Sequence, residues 1–179
     1  MSERKLILYI AASIDGYIAA PDGEISFLGT VQQPGEDYGY KVFNEQTDTV
    51  IMGRKTFDKI MSFGIPFPHR DKKKVYIITR SGMQDYDNIT FFGGSLLTLI
   101  KNLKSQPGKH IYCDGGGMLV KSLLEYDLFD EIILSVIPVM LGAGVRLFPE
   151  QEKVMQQEFQ LKQSKSYSSG LVQLHYKKK

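Results

Sequence analysis

Residues 6–12 are apolar at every position, the pattern of a central strand covered on both faces. Shorter apolar runs at 49–52, 75–79, 89–92, 110–113 and 132–137 repeat that signal, the last ended by Pro138. Between them the period changes. Residues 95–105 place Leu96, Leu99, Ile100 and Leu103 on one helical stripe, with Ser95 able to cap the start. Residues 54–61 and 118–125 predict two further helices. A fourth is expected over 36–46 from Tyr38 and Val42, although Gly39 interrupts it. The tail "FQLKQSKSYSSGLVQLHY" predicts two strands joined by a Ser-Ser-Gly turn. Strands alternating with helices indicate an α/β fold with a mixed, mostly parallel sheet and an antiparallel C-terminal hairpin. No repeat or linker divides the 179 residues, so one domain over 1–179 is expected.

Composition narrows the function. Hydrophobic residues make up 42% and charged residues 23%, and the net charge is +2. That balance gives no basic field for nucleic acid. No apolar run approaches the roughly 20 residues that span a bilayer. The run after the N-terminal charges reads as a strand rather than a signal peptide, so a cytoplasmic protein is expected. A single cysteine, Cys113, excludes an internal disulfide and a cysteine metal cluster. His69, His110 and His175 are scattered, and no metal site is expected.

Three strand ends carry candidate chemistry. In "TVIMGRKTFD" a strand ends at Gly53, and Arg54 and Lys55 then stand at a helix start, where negative charge is normally preferred. A bound anion, with Thr56, would offset that unfavourable placement. In "HIYCDGGGMLV" a strand runs into Gly115, Gly116 and Gly117 and then directly into a helix opening with Met118 and Leu119. Taken alone this is either a tight turn or a loop whose backbone approaches an anion. In "YIITRSG" Thr79, Arg80 and Ser81 place two hydroxyls beside a guanidinium, which suits a phosphate or an ordinary exposed turn. Ligands of open α/β sheets bind beyond the carboxyl ends of the strands. Together the three stretches point to a ligand with separated anionic groups, such as a phosphorylated dinucleotide.

The motifs also resemble a known family. "TVIMGRKTFD" and "YCDGGGMLV" are similar to two cofactor motifs of the dihydrofolate reductase superfamily. "AASIDGYIA" and "DEIILSVIPVMLGAGVRLF" resemble the reductase domain of the bifunctional riboflavin-biosynthesis deaminase-reductase. The resemblance spans about residues 6–148 and implies a dihydrofolate-reductase-like three-layer sandwich. It implies NADPH, with Gly53, Arg54, Lys55 and Thr56 facing phosphates and Thr79, Arg80 and Ser81 around the 2′-phosphate. Gly115, Gly116 and Gly117, with Met118 and Leu119, would meet the pyrophosphate, and Ala12 and Ile18 would flank the nicotinamide. A homodimer is implied as well.

The implied reaction is hydride transfer to a small pteridine- or pyrimidine-like substrate, as in 5-amino-6-(5-phosphoribosylamino)uracil reductase. A true dihydrofolate reductase is one alternative, and an NADP-binding protein without turnover is another. Such a reaction needs a proton donor, and a carboxyl with a raised pKa serves. Asp37 lies 16 positions before Gly53, the family's spacing for that acid, with Glu36 as rival; both also fit plain helix-start charge. The pattern departs from the family in having no Trp, for which Phe27 would stand in. No single Arg clearly matches the residue that holds folate's carboxylate, Arg70 and Lys74 being the substitutes. The zinc-binding deaminase part is not in the sequence, so neither known substrate transfers directly.

Overall fold

The apolar strand at the front of the chain lies in the middle of the sheet. In the computed structural model, which describes residues 3–69 and 73–179, β1 (Leu6–Ser13) pairs in parallel with two strands distant in sequence. These are β6 (His110–Cys113) on one side and β7 (Glu131–Ile137) on the other. With β3 (Thr47–Gly53), β4 (Lys74–Ile78), β5 (Ile89–Phe92), β9 (Phe159–Ser166) and β10 (Val172–Lys178), the sheet has eight strands. Their order is β5-β4-β3-β6-β1-β7-β10-β9. The pairings from β5 across to β7 are parallel, and β10 and β9 add the antiparallel hairpin.

Period-two alternation along the strands feeds two cores, one on each face. Leu6 and Leu8 of β1 and Ile111 of β6 pack with Leu99, Ile100 and Leu103 of α3 (Leu96–Ser105) and with Leu119, Val120 and Leu123 of α4 (Gly117–Glu125). On the other face Ile7, Val50, Met52, Val75, Ile77 and Tyr112 meet Phe43 of α1 (Tyr40–Glu45) and Phe57 of α2 (Arg54–Ser62). Helices thus cover both faces, which is the three-layer arrangement expected. Ser95 caps α3, its Oγ accepting the Thr98 N–H at 3.3 Å.

The helix expected over 36–46 is shorter, at Tyr40–Glu45. Gly39 sits in the left-handed region at φ 84°, and Tyr38 before it at φ 56°. Both make a turn that delivers the chain into α1 rather than a first helical turn. Two features were not legible in the pattern. A 3₁₀ turn (Ser26–Val31) buries Phe27 and Val31 against Ile137 and Leu171. A small ribbon pairs β2 (Tyr17–Ala19) with β8 (Val145–Arg146).

That ribbon fixes the loop after β7. Asp15 accepts N–H bonds from Leu141 at 3.2 Å and Gly142 at 2.7 Å and a hydroxyl bond from Ser13 at 2.5 Å. The Ser13 hydroxyl and those amides hold the Asp15 carboxyl down at about 2. The "IDG" and "MLGAG" loops are therefore tied to each other. Among the described residues no helix is long and apolar enough to cross a membrane.

Candidate functional site

The three strand ends singled out in the sequence are neighbours, because β4, β3 and β6 are adjacent and parallel. At the carboxyl edge the Gly53 N–H donates to the Gly115 carbonyl at 2.9 Å, and the Gly116 N–H donates to Thr56 Oγ1 at 3.1 Å. The starts of α2 and α4 are thereby tied side by side. Neither helix has a side-chain cap, in contrast to α3. Two helix N-termini with uncapped backbone donors face one edge, a ready anion site.

Glycine is required here by space. Gly115 lies at φ +95°, and a Cβ there would sit 2.9 Å from Ile10 Cδ1. A Cβ on Gly116 would stand 2.8 Å from Thr56 Oγ1, and one on Gly117 would overlap the Arg146 carbonyl oxygen. Met118 is exposed, so its side chain is free of the core. Leu119 is buried in the α4 core, so only its backbone faces the edge.

The cations are arranged less simply than the sequence suggested. Arg54 is not waiting unpaired. Its Nε donates to Asp58 one turn on at 2.6 Å, its Cζ lies 5.7 Å from the Phe91 ring centroid, and Nη1 touches Met83 Sδ. Asp58 supplies part of the negative charge expected of a ligand, and the helix start is tolerated partly for that reason. Lys55 is exposed. Beyond β4, Thr79 Oγ1 accepts the Ser81 N–H at 3.1 Å, and Arg80 is exposed beside them. Ala12 is buried at the end of β1, and Ile18 packs on the same core as Ile10, both on the face of α4.

Asp37 does not have the surroundings of a proton donor. It is exposed, and its two carboxylate oxygens accept the N–H groups of Gly39 and Lys41, each at 2.9 Å. The Lys41 and Gly39 amides hold the carboxyl below its usual range, so it is ionised, opposite to the raised pKa expected. It serves the turn into α1. Glu36 similarly accepts the Tyr38 N–H at 2.7 Å. Phe27 is a core residue of the wall below them. Lys74 opens β4 at the end of the sheet opposite to Thr79, away from the carboxyl edge, and Arg70 lies outside the described residues.

A different carboxylate stands at the edge. Asp114 follows β6 and precedes the glycines, with only 22% of its side chain exposed. The Tyr112 hydroxyl donates to its Oδ1, and His69 Nε2 is 3.3 Å from its Oδ2. Burial, first, and Asp114, second, push the Tyr112 phenol well above its ordinary value, so it remains a donor. His69 is 3% exposed and packs edge-on to Tyr112, ring centroids 5.8 Å apart. In the sequence Asp114 is simply the residue before the three glycines, and His69 is one of three scattered histidines. Their separation of 45 positions hid the pair.

From Tyr112 an aromatic bridge leads across the same face. Phe43 lies 5.0 Å from Tyr112 and stacks on Tyr9 at 4.5 Å. Tyr9 forms the floor of a cleft of about 690 Å³ beneath the segment of Val31 and Tyr38, with Ala11, Ser135 and Ile137.

Residues 4–173 match the family described as the RibD C-terminal domain. The chain belongs to that family. It is 39% identical over 176 residues to the uncharacterized protein YwjB of Bacillus subtilis (strain 168), covering 97% of this chain and 98% of that protein. The crystal structure of a putative riboflavin biosynthesis protein from Shewanella sp. PV-4 superposes with a TM-score of 0.88 at 31% identity, covering 98% and 99% of the two chains. A diaminohydroxyphosphoribosylaminopyrimidine deaminase/5-amino-6-(5-phosphoribosylamino)uracil reductase from Thermotoga maritima gives 0.69 at 15% identity, over 99% of this chain and 57% of that one. At that identity the likeness is one of fold. The riboflavin-reductase resemblance and the dihydrofolate-reductase-like sheet read from the sequence both hold.

Proposed function

We propose that this RibD C-terminal domain protein is an NADPH-dependent reductase of a small pyrimidine- or pteridine-like ring. The observation that carries the reading is the joining of the uncapped α2 and α4 N-termini through Gly53–Gly115 and Thr56–Gly116, beside the exposed Arg80. The chain's residues fit a phosphate-bearing dinucleotide by that donor set and by a glycine cradle that a Cβ on Gly115 or Gly116 would fill. Gly53, Thr56, Gly115, Gly116 and Gly117 would hold the pyrophosphate region. Thr79, Arg80 and Ser81 would hold a ribose phosphate, since no carboxylate stands among them to bind a free 2′-hydroxyl. NADPH, when bound, supplies the hydride.

The protein's share is to orient the ring and to place a carboxyl group near the cofactor edge. Asp114, beside His69, is the side chain placed to act on the ring in place of Asp37. Its carboxylate adjoins the glycine loop, and Tyr112 and His69 fix its direction. Tyr9 and Ser135 floor the cleft in which the ring would lie. The homodimer is a further part of this reading, favoured by the exposed edge of β9.

The test is steady-state NADPH oxidation by the purified chain with a panel of pyrimidines and pteridines. Substrate-dependent oxidation of NADPH is expected. NADPH binding with no turnover on any member of the panel would point instead to a nucleotide-binding protein without turnover.

A further inference from the structure

The cleft over β1 and β7 has a definite charge pattern. One spot on its floor is polar and tightly wired. Gln173 Nε2 lies 3.0 Å from the Tyr38 carbonyl, 3.1 Å from Ser135 Oγ and 3.2 Å from Tyr9 Oη, three acceptors that share its two hydrogens. Tyr9 gives its own hydrogen to the same carbonyl at 2.8 Å, and burial pushes its phenol up to about 12. Ser135, buried and lining the cleft, therefore accepts from Gln173 and keeps its hydroxyl hydrogen for an acceptor inside the cleft. Ala11, Leu28, Val31, Ile137 and Leu171 make much of the wall apolar, and Gln32 and Gln33 add neutral amides.

The mouth is acidic. Glu36 and Asp37 both line it, and among the described residues no Lys or Arg does. The α1 start offers an anion little, because Asp37 already accepts the amides of Gly39 and Lys41. Lys165 lies outside the lining, its Nζ 4.3 Å from the Tyr167 ring centroid. A phosphate monoester carries nearly two negative charges near neutral pH and is bound by Arg, Lys or free helix amides. This cleft presents two carboxylates instead.

We propose that the cleft takes an unphosphorylated nitrogen heterocycle, neutral or cationic, with a ring carbonyl accepting from Ser135 and its substituent turned towards Glu36 and Asp37. The proposal rests on the reductase reading of the same site and sets the substrate apart from a phosphoribosyl-bearing ring. A volume of about 690 Å³ exceeds a bare ring and leaves room for a neutral substituent such as a sugar or polyol.

The test uses matched pairs differing only in phosphate: uridine and uridine 5′-monophosphate, and 6-hydroxymethylpterin and its monophosphate. Each is titrated calorimetrically into the full chain, with and without NADPH. The unphosphorylated member of at least one pair is expected to bind about tenfold more tightly or better. Raising the salt concentration should narrow the gap by screening the rim. Glu36→Gln, alone and with Asp37→Asn, should bring the gap down to about threefold or less by strengthening binding of the phosphorylated member. Equal or tighter binding of the phosphorylated member overturns the proposal. So does the failure of every pair to bind at millimolar concentration. Loss of NADPH binding with the pair preference intact would overturn the reductase reading and leave this one standing.

Discussion

Asp114 and Asp37 differ by what reaches their oxygens. Backbone amides hold Asp37 in solvent, whereas Asp114 is mostly covered, accepts the Tyr112 hydroxyl and lies 3.3 Å from His69 Nε2. Asp114→Asn is therefore expected to lower kcat by about a hundredfold or more, the usual worth of a positioned acid, with NADPH affinity retained. Steady-state kinetics and a parallel NADPH titration check this; unchanged kcat would remove Asp114 from the chemistry. At Gly116 the effect should fall on the cofactor. In Gly116→Ala the new methyl, 2.8 Å from Thr56 Oγ1, must displace the hydroxyl that ties α2 to α4. NADPH affinity is expected to fall about tenfold or more. Gly82→Ala, which meets nothing within 4 Å, serves as the control and should bind as before. Arg54 and Lys55 were legible as oddities at a helix start. What relieves Arg54, Asp58 one turn later, was in the sequence too, as an ordinary i, i+4 pair.

Among the elements, those built on long periodic stripes were readable, because a single element carries the whole signal. The stripe and cap of α3 gave Leu96–Ser105 with Ser95 before it. Ser95→Ala should cost about 1 kcal/mol, read as a lower denaturation midpoint at unchanged slope. No measurable change would mean that the 3.3 Å bond contributes nothing. The β2–β8 ribbon was not readable. Its strands have three and two residues, and they meet only because Gly144, at φ +147°, lets the distant loop press against the Ala19 carbonyl. The α1 boundary failed for a local reason. Tyr38 and Val42 have helical spacing, yet Gly39 and the Asp37 carboxylate favour a turn, and the turn places Glu36 and Asp37 at the mouth of the cleft. Asp114 with His69 was invisible, since a contact across 45 residues leaves no periodicity.

For the whole molecule, charge is arranged so that stability should fall in two steps as the pH is lowered. Burial, then Lys5, lowers the His110 pKa from its ordinary 6.5, and His110 Nδ1 accepts the Lys5 amide at 3.3 Å. A depressed histidine contributes stability above about pH 6.5, lost as pH falls towards its folded value. Glu131 is depressed from 4.5 although burial alone would raise it, because Lys5 at 2.6 Å and His175 at 2.7 Å hold it ionised. Its contribution is complete above pH 4.5 and is lost below, as are those of Asp15 and Asp37 below 3.8. Thermal melts should thus show Tm falling first below about pH 6.5 and again below about pH 4.5. His110→Gln should abolish the first step only, and a first step that survives it belongs to another group.

The central claim is that the joined α2 and α4 starts, with Arg80 beside them, hold the phosphates of NADPH. Paired titrations of the purified chain with NADPH and NADH, followed by heat or by tyrosine emission, test it most directly. NADPH should bind at least about tenfold more tightly, some 1.4 kcal/mol, and Arg80→Ala should remove most of that difference. Equal affinity for the two nucleotides, or binding of neither, would contradict the claim.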